Sequence, residues 1–180
     1  MDILNGEKIK LRAIEPEDID LIYKWENNTS VWRISNTLVP FSKYVLTKYI
    51  ENPHLDIYQS KQLRLMIILK SDNDNLSENP IGTIELFDFD SYNLRAGIGI
   101  LIYEPAFRQK GYASEALQLF IKYSFNILGL HQLYCNIATN NNISLNLFKK
   151  HGFKIIGEKK DWLKTPDGWL SELLLQLIND

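Results

Sequence analysis

The chain has 180 residues, of which 45% are hydrophobic and 23% charged, and its formal net charge at pH 7 is −2. This is the composition of an ordinary globular protein, and we expect one domain over residues 1–180 with a sizeable core. The charge balance gives no overall attraction to nucleic acid or an acidic membrane surface, and no apolar run approaches the roughly 20 residues that span a bilayer.

Strand and helix signals alternate along the chain. Pro16 with acidic neighbours starts the first helix, a polar break at residues 27–30 ends it, and Asn52-Pro53 should end the second. In chain order, the predicted elements are a strand at residues 8–14, helices after Pro16 and near residues 42–51, strands at 64–70, 81–89 and 96–103, a helix at about 113–128, a strand at 132–138, a helix at about 142–150, and strands at 153–162 and 169–178.

A short basic loop joins the strand at residues 96–103 to the helix that follows. Its sequence is Arg108-Gln109-Lys110-Gly111-Tyr112-Ala113. A helix N-terminus offers unpaired backbone N–H groups and the positive end of the helix dipole, which together suit a phosphate group. Taken alone, such a loop is usually a solvated turn. A different phosphate-binding motif, the dinucleotide fingerprint, is excluded, because Gly97 and Gly99 lie inside a strand and lack its third glycine.

Spaced as Arg-x-x-Gly-x-Ala, this loop resembles the acyl-coenzyme A (CoA) pyrophosphate loop of the GNAT acetyltransferase superfamily. Residues 141–144, Asn-Asn-Ile-Ser, and 147–153, Leu-Phe-Lys-Lys-His-Gly-Phe, are similar to the superfamily's second signature. The likeness runs in outline from Ile9 to the C-terminal strand. It is nearest to the branch of ribosomal-protein N-terminal acetyltransferases and spermidine acetyltransferases. The resemblance implies a mixed α/β fold with a splayed central sheet of about seven strands, flanked by about four helices.

The resemblance also implies acetyl-CoA as co-substrate and assigns positions to it. The cofactor-binding positions are Ile100, Leu101, Ile102, Arg108, Gln109, Lys110, Gly111, Tyr112, Ala113, Ser114, Asn141, Ser144 and Phe148. Asn141 and Ser144 equally fit the first turn of a capped helix, and we expect capping and contact with the pantetheine arm together.

The two catalytic candidates are Ser144 and Glu85. Many family members carry a tyrosine at the position of Phe148, and that tyrosine protonates the departing thiolate. Phenylalanine cannot do this, so a general acid is missing, and Ser144 or a water could substitute. Glu85 is the candidate general base. Strict alternation over residues 81–89 places it on one strand face with Phe87 and Phe89, and an apolar surrounding helps a carboxylate accept a proton near neutral pH. A solvated glutamate is the alternative.

The expected reaction is direct attack of a neutral primary amine on the thioester in a ternary complex, with a backbone N–H of residues 98–102 holding the oxyanion. We favour a peptide or protein α-amine, because it is neutral far more often at pH 7 than an alkylamine. A polyamine such as spermidine is the alternative, since Glu85, Asp88 and Asp90 could attract a polycation. A non-catalytic CoA-binding regulatory module is the second alternative.

The remaining features exclude other chemistry. Cys135 cannot form an internal disulfide and alternates with apolar neighbours on one strand face, which favours packing over nucleophilic chemistry. The three histidines lack metal-ligand spacing, so we expect no metal. The charge balance and the lack of a long apolar run lead us to expect no nucleic acid and no membrane partner. A cytoplasmic location is expected, and a homodimer is left open. Trp25, Trp32, Trp162 and Trp169 fit a core better than an acceptor cleft.

Overall fold

The computed structural model describes residues 3–35, 37–51, 56–70 and 78–179. In chain order, the elements are β1 Ile9–Ala13, α1 Ile19–Glu26, α2 Thr29–Ser35, α3 Lys43–Ile50, α4 Ile57–Ser60, β2 Leu63–Leu69, β3 Asn79–Asp90, β4 Arg95–Ile102, α5 Tyr112–Asn126, β5 Gln132–Ala138, α6 Asn142–Lys150, β6 Lys154–Thr165 and β7 Gly168–Ile178. The predicted helix end at Asn52-Pro53, together with His54, lies outside the described residues. Within the described ranges, no helix is long and apolar enough to cross a membrane.

All seven strands form one sheet in the order β1-β2-β3-β4-β5-β7-β6. Every neighbouring pair is antiparallel except β4 and β5, which run parallel. This parallel pair meets over three positions, from Arg95 opposite Gln132 to Gly97 opposite Tyr134. Beyond Gly97, β4 remains paired with β3 up to Ile102, while β5 remains paired with β7. The sheet therefore splays open between β4 and β5, and the predicted mixed, splayed seven-stranded fold is confirmed.

Helices cover both faces of the sheet. On one face α5 and α6 bury the main core, in which Leu117, Phe120 and Phe148 pack against strand residues such as Ile98 and Leu133. On the other face α1 and α3 cover β2 and the end of β4. Trp25 of α1 stacks there on Tyr103, which follows β4, with ring centroids 4.3 Å apart. The buried side chains between these helices and the sheet include Ile22, Trp25, Leu46, Met66, Ile68 and Tyr103.

Two short helices, α2 and α4, were not predicted. Their first turns are capped by polar side chains: Asn28 Oδ1 accepts the N–H of Ser30 at 3.0 Å, and Asp56 Oδ1 accepts the N–H of Tyr58 at 2.9 Å. The polar break at residues 27–30 is therefore partly the start of a new helix, because asparagine and aspartate favour the N-cap position. The polar loop at residues 71–75 lies outside the described residues.

An irregularity in β3 changes which side chains share a face. The register with β4 shifts between Phe87 and Asp90, and Asp88 has a left-handed backbone with φ 49°. Such a bulge moves later residues to the opposite face. Phe89 is consequently buried in the main core on the α5 side. The prediction that Phe89 lies on the same face as Glu85 was wrong, because strict alternation stops at the bulge.

Candidate functional site

The loop that leads from β4 to α5 is fastened to the strand before it. Arg108 donates from Nε to the carbonyl of Ile102 at 2.9 Å and from Nη2 to the carbonyl of Tyr103 at 2.8 Å. The guanidinium therefore fixes the loop at the open end of β4. Lys110 lies over the ring of Phe107, with its Nζ 5.9 Å from the ring centroid. The predicted loop is present, with its arginine used for backbone anchoring.

The turn into α5 leaves the first N–H groups of the helix accessible. Gln109 and Gly111 both have left-handed backbones, with φ of 59° and 89°. Gly111 is the N-cap, makes no side-chain cap, and has open space where a Cβ would project. The first N–H groups of a helix have no partner within it, and they lie at the positive end of the helix dipole. This corner is suited to hold a phosphate.

A groove of about 420 Å³ opens beside this corner. It is lined by Gly6, Lys8, Gly111, Ser114, Glu115, Lys122 and Lys150, among others. Three of these side chains are lysines, which adds positive charge next to the start of α5. The carboxylate of Glu115 accepts the backbone N–H of Lys8, and this bond fastens the N-terminal segment to the helix. Three lysines against two glutamates, Glu7 and Glu115, leave one net positive charge in the groove, which adds to the positive end of the α5 dipole and favours an anionic ligand.

One side-chain pair joins α5 to the end of α6. Ser114 Oγ lies 2.8 Å from His151 Nε2. Burial, together with the neighbouring ammonium of Lys150, lowers the pKa of His151 below its ordinary value. His151 was not predicted to be part of a site, because its partner is 37 residues earlier in the chain. The contact brings the second sequence signature to the first.

Helix α6 begins with the predicted cap. Asn141 Oδ1 accepts the backbone N–H of Ser144 at 3.1 Å. Further along the helix, Phe148 is buried in the main core, where its ring meets that of Phe153 edge to face at 5.0 Å. In this structure Phe148 is a packing residue, so its predicted contact with a cofactor stays a prediction. The role of Ser144 as a proton donor also stays a prediction.

Glu85 lies on the sheet face that α1 and α3 partly cover. Its Oε2 accepts Arg64 Nε at 2.7 Å, and a second Arg64 nitrogen holds the Glu26 carboxylate at 2.7 Å. Arg64 and Glu26 are largely buried, and Tyr103 donates to Glu26 at 3.4 Å. Glu85 was expected to lie against aromatic surface; an arginine from the neighbouring strand contacts its carboxylate instead. Burial raises the pKa of Tyr103 to about 12, and the charge of Glu26 adds to this.

Two glycines of β4 make room for this face. A Cβ at Gly97 would lie 2.2 Å from the ring of Phe87, and one at Gly99 would lie 3.5 Å from Glu85 Oε1. Phe87 and Glu85 therefore rest directly on the backbone of β4, where the strands begin to part. A glycine inside a strand often marks such a close approach. This was the available sequence signal for the position of Glu85.

A second polar cluster continues across the sheet from Phe87. Tyr134 packs edge to face on Phe87, with ring centroids 5.9 Å apart, and its hydroxyl donates to Asp88 at 3.3 Å. Next to it, Lys159 donates to Asn136 at 2.8 Å and pairs with Glu172 at 3.0 Å. A cavity of about 390 Å³ opens at this cluster, and it is lined by Asp88, Arg95, Tyr134, Asn136, Lys159 and Leu174.

The tryptophans divide between core and surface. Trp25 is buried, as predicted, whereas Trp162 and Trp169 are 58% and 63% exposed at the tip of the β6–β7 hairpin. The core prediction was therefore wrong for these two. Cys135 is buried in the main core, and burial raises the pKa of its thiol to about 12. This environment agrees with the packing role predicted for Cys135.

Comparison with known proteins gives a consistent assignment. The family model for the GNAT acetyltransferase domain matches residues 8–154. The spermidine N(1)-acetyltransferase of Escherichia coli K12 is 27% identical over 154 residues, which cover 86% of this chain and 77% of that protein. A solved structure of spermidine N-acetyltransferase from Vibrio cholerae, in complex with CoA and spermine, superposes with a TM-score of 0.79, 22% identity and 96% coverage of both chains. A dodecameric structure of the Vibrio cholerae enzyme gives a TM-score of 0.76 at 24% identity, covering 96% and 95% of the two chains.

Proposed function

The chain belongs to the GNAT acetyltransferase family and is an acetyl-CoA-dependent N-acetyltransferase, and we propose that its acceptor is a polyamine of the spermidine type. This replaces the preference for a peptide or protein α-amine that the sequence alone favoured. The similarity to spermidine acetyltransferases supports the change. The structural observation that carries it is the sharing of one guanidinium, that of Arg64, between the carboxylates of Glu26 and Glu85.

This sharing leaves negative charge next to the gap between β4 and β5. One positive and two negative charges give the Arg64 cluster a net charge of −1. Asp88 lies three residues further along β3, at the bulge, and it makes no ion pair among the described residues. A polyamine carries two or more ammonium groups separated by methylene chains, because alkylamines have a pKa near 10.4. Two anionic positions on one strand are complementary to such a ligand.

The reaction we propose brings its two reactants from opposite sides of the sheet. The pyrophosphate of acetyl-CoA binds the N–H groups at the start of α5, and its pantetheine arm reaches the gap between β4 and β5. The amine enters on the face that carries Glu85. Glu85 binds the ammonium group and accepts its proton, directly or through a water.

Chemistry then follows from alignment. The neutral amine attacks the thioester carbonyl, the C–N bond forms, and the C–S bond breaks to release the CoA thiolate. A free N–H along the edge of β4 stabilises the oxyanion. A thiol has a pKa near 8.5, so the thiolate is a tolerable leaving group at neutral pH, and water or Ser144 supplies its proton. This accommodates the absence of a tyrosine at Phe148.

Thiol release from acetyl-CoA with a panel of amines tests the proposal. We expect a higher kcat/KM for spermidine than for short peptides with a free N-terminal serine or alanine. Asp88→Asn should weaken spermidine as a substrate while leaving a monoamine of similar length unaffected. A clear preference for peptides would restore the α-amine acceptor. Binding of acetyl-CoA without thiol release for any amine would favour the non-catalytic module.

Three wider predictions accompany this function. They are a single domain over residues 1–180, a cytoplasmic location and self-association as a homodimer. The relative from Vibrio cholerae is described as dodecameric, which makes the mass in solution the measurement to perform. Sedimentation at several concentrations, with and without spermidine, separates a monomer, a dimer and a larger oligomer.

A further inference from the structure

We propose that His151 is a positioning residue for the phosphates of acetyl-CoA and acts through the hydroxyl of Ser114. The inference rests on the proposed binding of the pyrophosphate at the start of α5. Ser114 lies in the first turn of this helix, three residues after the N-cap Gly111, and it lines the groove beside it. Its Oγ lies 2.8 Å from Nε2 of His151, the residue at the C-terminal end of α6.

The protonation state of His151 determines whether the hydroxyl of Ser114 can donate a hydrogen bond to a ligand. A hydroxyl has one proton to donate and lone pairs to accept. If Nε2 of His151 lacks a proton, it accepts from Ser114, and the oxygen of Ser114 turns only lone pairs toward the groove. If Nε2 carries a proton, it donates to Ser114, and the hydroxyl proton is free for a phosphate oxygen. Protonated His151 has a proton on both ring nitrogens, so it enforces the second arrangement.

The charged groups around His151 leave it sensitive to a bound anion. Lys150, its neighbour on α6, disfavours a second positive charge, and burial acts in the same direction, so the pKa of His151 is lowered in the free protein. On α5 the nearby acidic side chain is Glu115, whose carboxylate accepts backbone N–H groups of the N-terminal segment. On the loop, Lys110 lies over Phe107, and β7 contacts the neighbouring Gly152 through the apolar Leu177. A phosphate in the groove supplies the missing counter-charge.

Binding and protonation are therefore linked. A pyrophosphate next to Ser114 stabilises protonated His151, so the pKa of His151 should rise when the cofactor binds. By the same linkage, the affinity for CoA should increase as the pH falls from 8 to 6, by about fivefold relative to a variant without this group. The ribose phosphate monoester of CoA also titrates near pH 6, but it does so equally with either protein, and the pyrophosphate stays fully ionised over this range.

Calorimetric CoA titration at pH 8, 7 and 6 tests this on the wild type, His151→Gln and Ser114→Ala. Glutamine keeps a donor near the position of Nε2 but does not titrate. We expect the extra affinity at pH 6 in the wild type and its loss in both variants, with Ser114→Thr restoring it. The same pH dependence in the wild type and in His151→Gln would overturn the role of His151 while leaving the CoA site in place. No CoA binding at any pH would overturn the site itself and, with it, this inference.

A second measurement needs no variant, so it tests the proposal even if the variants do not fold. The imidazole resonances of His151 in the wild type, followed by NMR across pH with and without CoA, report its pKa directly. We expect the pKa to be higher in the complex. An unchanged or lower pKa in the complex would contradict the proposal without use of any variant.

Discussion

Arg64 on β2 holds Glu85 on β3 across the sheet, with Nε 2.7 Å from the Glu85 carboxylate. The same guanidinium holds Glu26 at the end of α1. Helix α1 is thus connected through the side chain of Arg64 to β3, the neighbour of the strand that borders the gap. Two contacts determine the position of Glu85: Arg64 holds its carboxylate, and its side chain lies against Gly99 of β4.

Glu85→Gln should reduce kcat/KM for spermidine by roughly 100-fold or more, because loss of a general base typically costs this much. The affinity for acetyl-CoA should not change, since Glu85 lies on the opposite face from α5. Glu78→Gln is the matched control: it neutralises a carboxylate that pairs with Lys10 and Arg12 near the edge of the sheet. Unchanged turnover and an unchanged pH–rate profile in folded Glu85→Gln would remove Glu85 from the mechanism.

Gly111→Asp should weaken CoA binding at least tenfold more than Gly111→Asn. Any side chain is strained at φ 89°, but asparagine and aspartate tolerate this conformation similarly and have the same shape. The difference between the two variants therefore isolates the negative charge beside the phosphate position. Fluorescence or calorimetric titration with CoA measures it. Equal affinities in the two variants would argue against a phosphate at this loop.

Lys110→Ala should have a smaller effect on CoA affinity than Gly111→Asp. The ammonium lies over the ring of Phe107, and an exposed charge pair contributes about 0.5–1 kcal/mol. Salt screens exposed charges, so the difference in CoA affinity between the wild type and Lys110→Ala should be smaller when the titration is repeated at high salt. A loss as large as that of Gly111→Asp would mean that the side chain of Lys110, more than the backbone, holds the anion.

The sequence predicted the elements best where local chemistry and packing agree. The bounds of β5 and α6 match the prediction, because β5 alternates regularly and Asn141 caps α6 as expected. α2 and α4 were not predicted because their capping residues, Asn28 and Asp56, are equally common in loops. Only the structure shows that their side chains accept hydrogen bonds from the first N–H groups of a helix.

The candidate site was less predictable than the fold. The loop from Arg108 and the cap at Asn141 depend on neighbours in sequence, and both were recognised. The Arg64–Glu85 pair depends on the register between β2 and β3, and the Ser114–His151 pair depends on how two helices pack. No spacing along the chain encodes these distances, so the surroundings of Glu85 were predicted incorrectly.

Asp18→Asn should flatten the acid side of the stability profile. Asp18 is buried, which alone would raise its pKa, but hydrogen bonds from Arg12 and from the N–H of Glu15 outweigh burial, so its pKa is lowered. The stabilisation is therefore present above about pH 4 and lost as the pH falls through the folded-state value. Urea unfolding should show a loss of about 2 kcal/mol at pH 7 in the variant and a smaller difference at pH 3. A constant difference at both pH values would contradict this.

Cys135 should resist thiol reagents in the folded protein. Its side chain is 2% exposed, and burial raises the pKa of the thiol to about 12, so the reactive thiolate is scarce at pH 8. Labelling with a chromogenic disulfide reagent should be slow in native buffer and complete within minutes in guanidinium chloride. Stoichiometric labelling of the native protein within minutes would show that the core around β5 opens readily.

The short parallel contact between β4 and β5 makes ligand occupancy visible without any enzyme assay. Past Gly97 and Tyr134, backbone amides on the facing edges have no strand partner across the gap among the residues that the structure describes, so deuterium should replace their hydrogens quickly in the free protein. Amides at residues 95–97, inside the contact, should exchange slowly. A pantetheine arm in the gap would pair with part of the open edge and slow its exchange. Mass spectrometry of peptides from residues 95–102 would therefore report binding, even for a variant that cannot transfer acetyl groups.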